Sequence, residues 1–390
     1  MSNLTDRRAG RLLGGPGRVP GLDIARGLAV LGMFTAHVGV TSEDLATLEG
    51  WLGFAHGRSS ILFATVAGVS LGLVTGRTTP PEGAGLAAAR HAILARAAAL
   101  IVLVAFLDLL GTRVALILGF YATYFVLALP FLRLRPMQLA GWAAAFAVCG
   151  PPVAYYGPEL LARLGLRLPR DGSGAFTDFL LTGHYPAVVW MAFVLAGLAV
   201  GRSDLRSRSL RLALVVTGFG AAFLAALVSE VMTAGAGGRE AIEANHDGTL
   251  SERAVGGKLA WDDPWPTPDY LWLPGPHDDT TLEAIGSGGF ALGVIGLCLF
   301  AGRIGALVLA PLAAVGALAL TVYSAQIVAI WAVTASGFDL LDPPTNEPLG
   351  WMVLIALAAA TVWRVLFGQG PLERVMAAWV RWATGTPRVR

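Results

Sequence analysis

The segment LDIARGLAVLGMFTAHVG, residues 22–39, is apolar and small except for Asp23, Arg26 and His37. It is long enough to cross a bilayer as a helix, which needs about 20 residues. A helix turns about 100° per residue, so Asp23 and Arg26, three apart, share a face. His37 follows Arg26 by about three turns and 20°, which keeps it near that stripe, roughly 16 Å along the axis. Ionisable groups in a membrane helix are costly and face a protein interior or a wet cavity. The segment therefore reads as a site-lining helix, with a charge pair at one end and a titratable ring at the other.

Working outward, the 390 residues are 55% hydrophobic and only 14% charged, against about a quarter charged in soluble domains. The fold class that follows is all-α: a polytopic transmembrane helix bundle, one domain over residues 1–390, of about ten spans. The spans are read at 22–40, 57–76, 95–111, 114–132, 137–156, 185–201, 210–233, 284–302, 307–332 and 349–367. Residues 1–20 and 368–390 read as cytoplasmic tails, and 234–283 as a long external loop. The basic start ahead of the first apolar run reads as a signal anchor, not a cleaved peptide. Arginine supplies all but one of the basic residues, Lys258 being the exception, and Gly is abundant. That bias points to a GC-rich, bacterial source and hence a bacterial plasma membrane.

With the N-terminus in the cytoplasm, most of the 28 basic residues fall on the cytoplasmic side, as the positive-inside rule requires. An even number of spans returns the Arg-rich C-terminus to the same side. The 234–283 loop is acidic and rich in Trp and Tyr (Trp261, Trp265, Tyr270, Trp272). It reads either as a structured lid or as an aromatic belt at the headgroups. The net charge of +2 says little about partners. Membrane lipid and a small-molecule or glycan acceptor are expected, with no nucleic acid. A homodimer through small-residue faces stays open.

The histidines carry the chemistry. His37 ends the first span, His56 opens the second in FAHGRSSILFATVAGVS, and His184 opens the sixth in LTGHYPAVVW. All three lie at the external level, with Arg58, Tyr185, Glu283 and Ser287 of the IGSGGF stretch, read as a glycine turn. A ring at a helix N-terminus feels the positive end of the dipole and stays neutral, the form a general base needs. Arg58 or the amides of IGSGG could stabilise an oxyanion, and Tyr185 could orient an acceptor. No metal site is expected: neither HExxH nor paired CxxC occurs, although His246 and His277 in the acidic loop could hold a cation weakly. Cys149 and Cys298 read as apolar filler. On the cytoplasmic side, Arg26, Arg77 and Arg96, with Arg90 and His91, form one basic rim suited to phosphates, Arg26 positioned by Asp23. A transport path for a small solute or an envelope precursor suits an axial polar stripe equally well. A non-catalytic membrane assembly protein is the third reading.

The strings RVPGLDIARGLAVLGMFTAH, GRSSILFATVAGVSLGL, LLTGHYPAVVWMAFVLAGLAVGR, IGSGGFALGVIGLCL, PLAAVGALALTVYSAQIV and FGQGPLERVMAAW point one way. Together they resemble the YeiB-type bacterial membrane proteins, relatives of the heparan-α-glucosaminide N-acetyltransferases, over about residues 18–380. The LDxxRG start is shared across the wider superfamily, and GPLE marks the bacterial branch. The resemblance implies a membrane acyltransferase that takes acetyl-CoA from the cytoplasm and passes the acetyl group to a sugar amine or hydroxyl on the far side. It also implies an essential histidine near the external end of the connection between the first two spans. By position that is His56, with His37 and His184 open as alternatives. In the implied chemistry, Asp23, Arg26, Arg77 and Arg96 would serve the CoA phosphates.

Overall fold

A computed structural model describes residues 18–385 other than 43, 167–173 and 245–258. Every apolar segment expected to cross the membrane is helical, and no strand occurs among the described residues. The helices are α1 (Pro20–Val38), α2 (Leu48–Gly53), α3 (Arg58–Val74), α4 (Gly83–Asp108), α5 (Ile117–Leu127), α6 (Pro136–Arg163), α7 (Ala187–Gly201), α8 (Arg208–Gly235) and α9 (Arg239–Ala244). They continue as α10 (Thr281–Phe300), α11 (Gly302–Val308), α12 (Ala310–Ala317), α13 (Ala319–Ala335), α14 (Glu347–Phe367) and α15 (Pro371–Thr384). Six helical segments are long and apolar enough to cross a membrane, or up to eight with two bent pairs. The other two expected spans coincide with the 19-residue α1 and the short α5, so the structure is compatible with about ten spans.

Two expected spans are not simple rods. The segment 307–332 breaks at Leu318, where α12 and α13 meet at 83°. The segment 114–132 gives only eleven residues of α-helix, then a 3₁₀ turn over Leu129–Arg133 that contains Pro130. Proline lacks the N–H that would continue the α-helical ladder. Others run longer than hydropathy indicates, because α4 begins at Gly83 and α6 ends at Arg163.

The buried centre is α1, α3 and α7. α1 packs on α3 and α12, and α3 packs on α7. Two small-residue pairs four apart, Gly68/Gly72 and Gly197/Gly201, face each other across α3 and α7. A Cβ on Gly197 would overlap the Thr65 carbonyl oxygen, and one on Gly68 the Val194 carbonyl oxygen. Close approach of backbones through small residues is how membrane helices associate without a hydrophobic drive. α4, α6, α8 and α14 form the outer layer, with most of their length unburied. α15 has no buried residue and puts Leu372, Val375, Met376 and Trp379 along one side at helical spacing. Trp379 donates its indole N–H to the Ala95 carbonyl of α4 at 2.8 Å.

The described part of the long loop is structured and packs on α6. Tyr270 stacks on Tyr155 of α6 with centroids 5.2 Å apart. Arg163, paired with Glu159 at 2.8 Å, lies 3.9 Å from the Trp265 ring centroid and donates to the Asp263 carbonyl at 3.0 Å. Leu271 and Leu273 are buried with the Tyr pair.

Candidate active site

The polar centre grows from the turn that precedes α10. Thr280 caps the helix, its hydroxyl accepting from the Glu283 amide at 3.1 Å. In a capping box the carboxylate three residues on reaches back to the cap's own amide. Here Glu283 reaches further: Oε1 accepts from the His277 N–H and Oε2 from the Asp279 N–H, both at 2.8 Å. The two residues it ties down have positive φ, 64° at His277 and 51° at Asp279. Non-glycine residues pay for that conformation and are held in it by their surroundings. Asp279 is buried and accepts from the Trp190 indole N–H of α7 at 2.9 Å. Burial, with Glu283 close by, holds the Asp279 carboxyl well above the usual carboxylate range. Burial likewise pushes Asp278 up to about 6.

This turn delivers His277 to the other imidazoles. Its ring lies 4.4 Å from that of His184, tilted by 33°, and 5.2 Å from the Tyr185 ring. Burial first, then the charges that His184, His56 and His37 would carry, push His277 down to about 3. Its Nδ1 has no partner among the described residues. His56 comes in through the same turn. Gly57 has φ of +65°, and a Cβ there would stand 2.9 Å from the Cα of Pro276. Only glycine suits both that backbone and that contact. His184 lies in the bend of 63° between a helical turn at Ala175–Thr182 and α7. Tyr124 fixes that bend by donating its hydroxyl to the Tyr185 carbonyl at 2.6 Å. His37 approaches from α1, its Nδ1 3.1 Å from the carboxamide nitrogen of Gln326 on α13.

The three histidines expected to matter therefore converge, with Tyr185 and Glu283 among them. Arg58 stands at the edge, its guanidinium 4.6 Å from the Phe54 ring centroid and within electrostatic reach of Glu283. Ser287 is buried one turn along α10 from Glu283. The IGSGGF stretch is a correction: it lies inside α10, not in a turn. Its amides belong to the helical ladder, which removes them as oxyanion donors. Sequence reasoning missed His277, assigned only a weak cation role, together with Asp279, Trp190 and Gln326. Two signals were present. The T-x-x-E of Thr280–Glu283 marks a helix start immediately after PHDD, and Gln326 is a lone carboxamide within an apolar run. His246 lies outside the described residues. Among the described residues no group of three or more His, Cys, Asp and Glu could hold a metal ion.

At the other end of α1, both Asp23 oxygens are taken. Arg18 donates at 2.6 and 3.1 Å, and Arg26 at 3.1 Å. Arg26 also donates to the Gly316 carbonyl at 3.1 Å and the Ser70 hydroxyl at 2.8 Å. The expected single basic rim divides. Arg26 and Arg96 line a crevice of about 370 Å³, whereas Arg77 lines a separate cavity of about 830 Å³ with Arg18, Arg206 and Arg211. α7 ends at that division, where Arg202 donates to the carbonyls of Thr75, Arg77 and Leu132 at 2.7, 3.0 and 2.7 Å. The Arg26 crevice follows α3 from Val74 to Phe63, eleven residues apart and about 16 Å in length, and is also lined by Tyr121. The Tyr121 hydroxyl lies 3.5 Å from the carbonyl of Ser60, four residues after His56.

The family model for the catalytic domain of heparan-alpha-glucosaminide N-acetyltransferase matches residues 18–228. No curated protein and no solved structure matches the chain. The matched stretch is more than half of the chain and carries Asp23, Arg26, His37, His56 and His184. The chain belongs to the heparan-alpha-glucosaminide N-acetyltransferase family, a family of membrane acetyltransferases.

Proposed function

We propose that this protein moves an acetyl group from acetyl-CoA, offered in the cytoplasm, to an amine or hydroxyl of an acceptor on the far side of a bacterial plasma membrane, with both termini cytoplasmic. One observation carries the reading: a crevice lined by Arg26 and Arg96 runs along α3 to Tyr121, whose hydroxyl lies 3.5 Å from the carbonyl of Ser60, four residues after His56. Arg26 and Arg96, which share the crevice with Glu373, suit phosphates. The crevice walls at Ala67, Leu71, Gly316 and Ala317 are apolar and small, which suits a pantetheine arm.

In the proposed step a neutral imidazole takes the proton of the acceptor N–H or O–H. The freed lone pair attacks the thioester carbonyl, and the C–S bond breaks. The thiolate takes the proton back from the imidazolium and leaves as CoA thiol, so charge and atoms balance. General bases contribute typically 10²–10⁴-fold. His56 is the first candidate for the base. His37 is the second, with Nε2 free to act as base when the Gln326 amide is turned so that its oxygen accepts from Nδ1–H, and His184, against His277, is the third. Arg58 is the charged group best disposed to an oxyanion.

The test measures transfer of radiolabelled acetyl from acetyl-CoA into a cell-envelope extract, using membranes with wild type and with His56→Ala, His37→Ala or His184→Ala. Loss of 10²-fold or more in one variant that still melts cooperatively supports the reading and names the base. Full activity in all three overturns the histidine mechanism. A donor at 100 times its Kd adds about 2.7 kcal/mol of stability. Absence of any acetyl-CoA-induced rise in melting temperature, together with no transfer, overturns the acetyl-CoA reading and returns transport to the front.

A further inference from the structure

α13 and α14 meet at only a few residues. Between them lies a crevice of about 350 Å³, walled by Val322, Ala325 and Ala329 on one side and Ala356, Ala359 and Trp363 on the other, with Phe34 of α1 behind. Along α13 it runs from Leu318 to Ala329, about 16 Å. α14 belongs to the outer layer, and its neighbouring Trp351, Ile355 and Val362 are exposed. The crevice therefore lies on the face that meets lipid.

Its inner wall carries a polar group that the described residues do not satisfy. Gln326 is 2% exposed, and one end of its carboxamide is on His37 Nδ1 at 3.1 Å. The other end, Oε1, has no partner among the described residues. Whichever way the amide is turned, His37 uses one end and the other is left over. A buried carboxamide end left unpaired is destabilising. α13 is also a partition. Ala319 and Leu320 face the Arg26 crevice, while Leu318, Thr321 and Val322 face this one.

We infer that this crevice takes the hydrocarbon tail of a membrane-borne acceptor, an amphiphile whose amine or hydroxyl head pairs with Gln326 beside His37. The inference rests on the acetyl-transfer reading and narrows its acceptor to a lipid-linked class. A free sugar finds almost no partner on these walls. A pure hydrocarbon fills the walls but leaves the carboxamide end unpaired. An N–H or O–H head pairs with Oε1, or accepts from the amide nitrogen if the amide is turned, and so lies next to an imidazole. Donor and acceptor then approach from opposite sides of α13.

The experiment uses full-length protein in nanodiscs and two photoreactive probes, a diazirine-bearing dodecylamine and the matched diazirine-bearing dodecane. Crosslinks are mapped by peptide mass spectrometry. The expected result is at least tenfold more amine-probe labelling than alkane labelling on residues 318–329 and 352–363. Ala356→Trp should cut amine labelling at least tenfold while leaving the acetyl-CoA-induced rise in melting temperature unchanged. Gln326→Leu should abolish the preference for amine over alkane. Ala359→Leu is the second filling variant if Ala356→Trp does not fold. Equal labelling by the two probes, or labelling undiminished by filling, overturns the inference and assigns the crevice to ordinary bilayer chains. Amine-specific labelling without any acetyl-CoA shift in wild type supports the lipid site and overturns the donor reading, so the two fail separately.

Discussion

Glu283 is the side chain on which the geometry of the imidazole centre turns. Its carboxylate is buried, and both oxygens are spent on the amides of two residues at positive φ. Glu283→Ala leaves those two amides without acceptors, at about 2–6 kcal/mol in total. A fall in melting temperature with loss of acetyl transfer is the expected outcome. Glu283→Gln, which keeps one acceptor, should lie between. His277 supplies a pH test. Its folded value of about 3 lies below the ordinary 6.5, so between those pH values the unfolded chain holds a proton the folded chain does not. Stability contributed by the neutral ring is complete above 6.5 and declines as pH falls, by up to about 2 kcal/mol at pH 5. Asp278 acts in the opposite sense, because its folded value of about 6 exceeds 3.8 and the folded chain holds the extra proton between them. Thermal melts of His277→Gln against wild type isolate the imidazole: the difference should shift in favour of the variant from pH 7 to pH 5. A constant difference would contradict the buried neutral ring. Asp23, Arg26 and the three expected histidines were legible because a charge or ring in an apolar run has to be explained. His277 was not, because a loop rich in acids and aromatics hides which of its residues turns inward.

At the scale of elements, α13 depends on a neighbour for its start. The break at Leu318 leaves its first amides without intrahelical acceptors. Glu373 of α15 meets this need from outside, accepting from the Thr321 N–H at 3.1 Å and the Thr321 hydroxyl at 2.6 Å. Glu373→Ala should therefore destabilise by about 1–3 kcal/mol, read as a lower melting temperature, and Glu373→Gln should recover part of it. If α15 were merely an appendage, neither change would move the melting curve. The α3–α7 crossing gives the sharper case, because Gly197→Ala sets a methyl group against the Thr65 carbonyl. Separation of two helices at the centre of the bundle should cost more than the Glu373 change and abolish a cooperative melt. Periodicity and length made the spans readable, but their breaks were not. Nothing in the run ALALTVYSAQIV marks an 83° bend at Leu318, since no proline or charge falls there. IGSGGF shows the converse error: its glycines serve close packing of α10, Gly286 and Gly289 against Ala225 and Gly218 of α8 and Gly288 against Phe193 of α7, not a turn.

The whole molecule is polarised. The imidazoles and the aromatic loop lie at one end, with Arg58 and Arg163, while the two arginine-lined cavities and α15 lie at the other. The proposed transfer across a membrane needs that polarity to match a donor supplied from the cytoplasm. The excess of arginine at the α15 end is what a cytoplasmic face demands, and an amphipathic helix such as α15 lies comfortably in the interface plane. The orientation can be measured without any assay of activity. Cys149 is exposed and Cys298 buried, so a Cys149→Ser background removes the accessible native thiol. In that background Asp262→Cys, in the aromatic loop, should react with a membrane-impermeant maleimide in intact cells. Arg381→Cys, on α15, should react only after the membrane is opened. The reverse pattern would put the arginine crevice outside, where no acetyl-CoA is supplied, and the proposed direction of transfer would fall with it. The expected pattern leaves α13 as the partition between a donor that enters from the cytoplasm and an acceptor that enters from the lipid. Leu320 and Val322, two residues apart and so about 200° around α13, lie on its opposite faces and line the first and the second crevice.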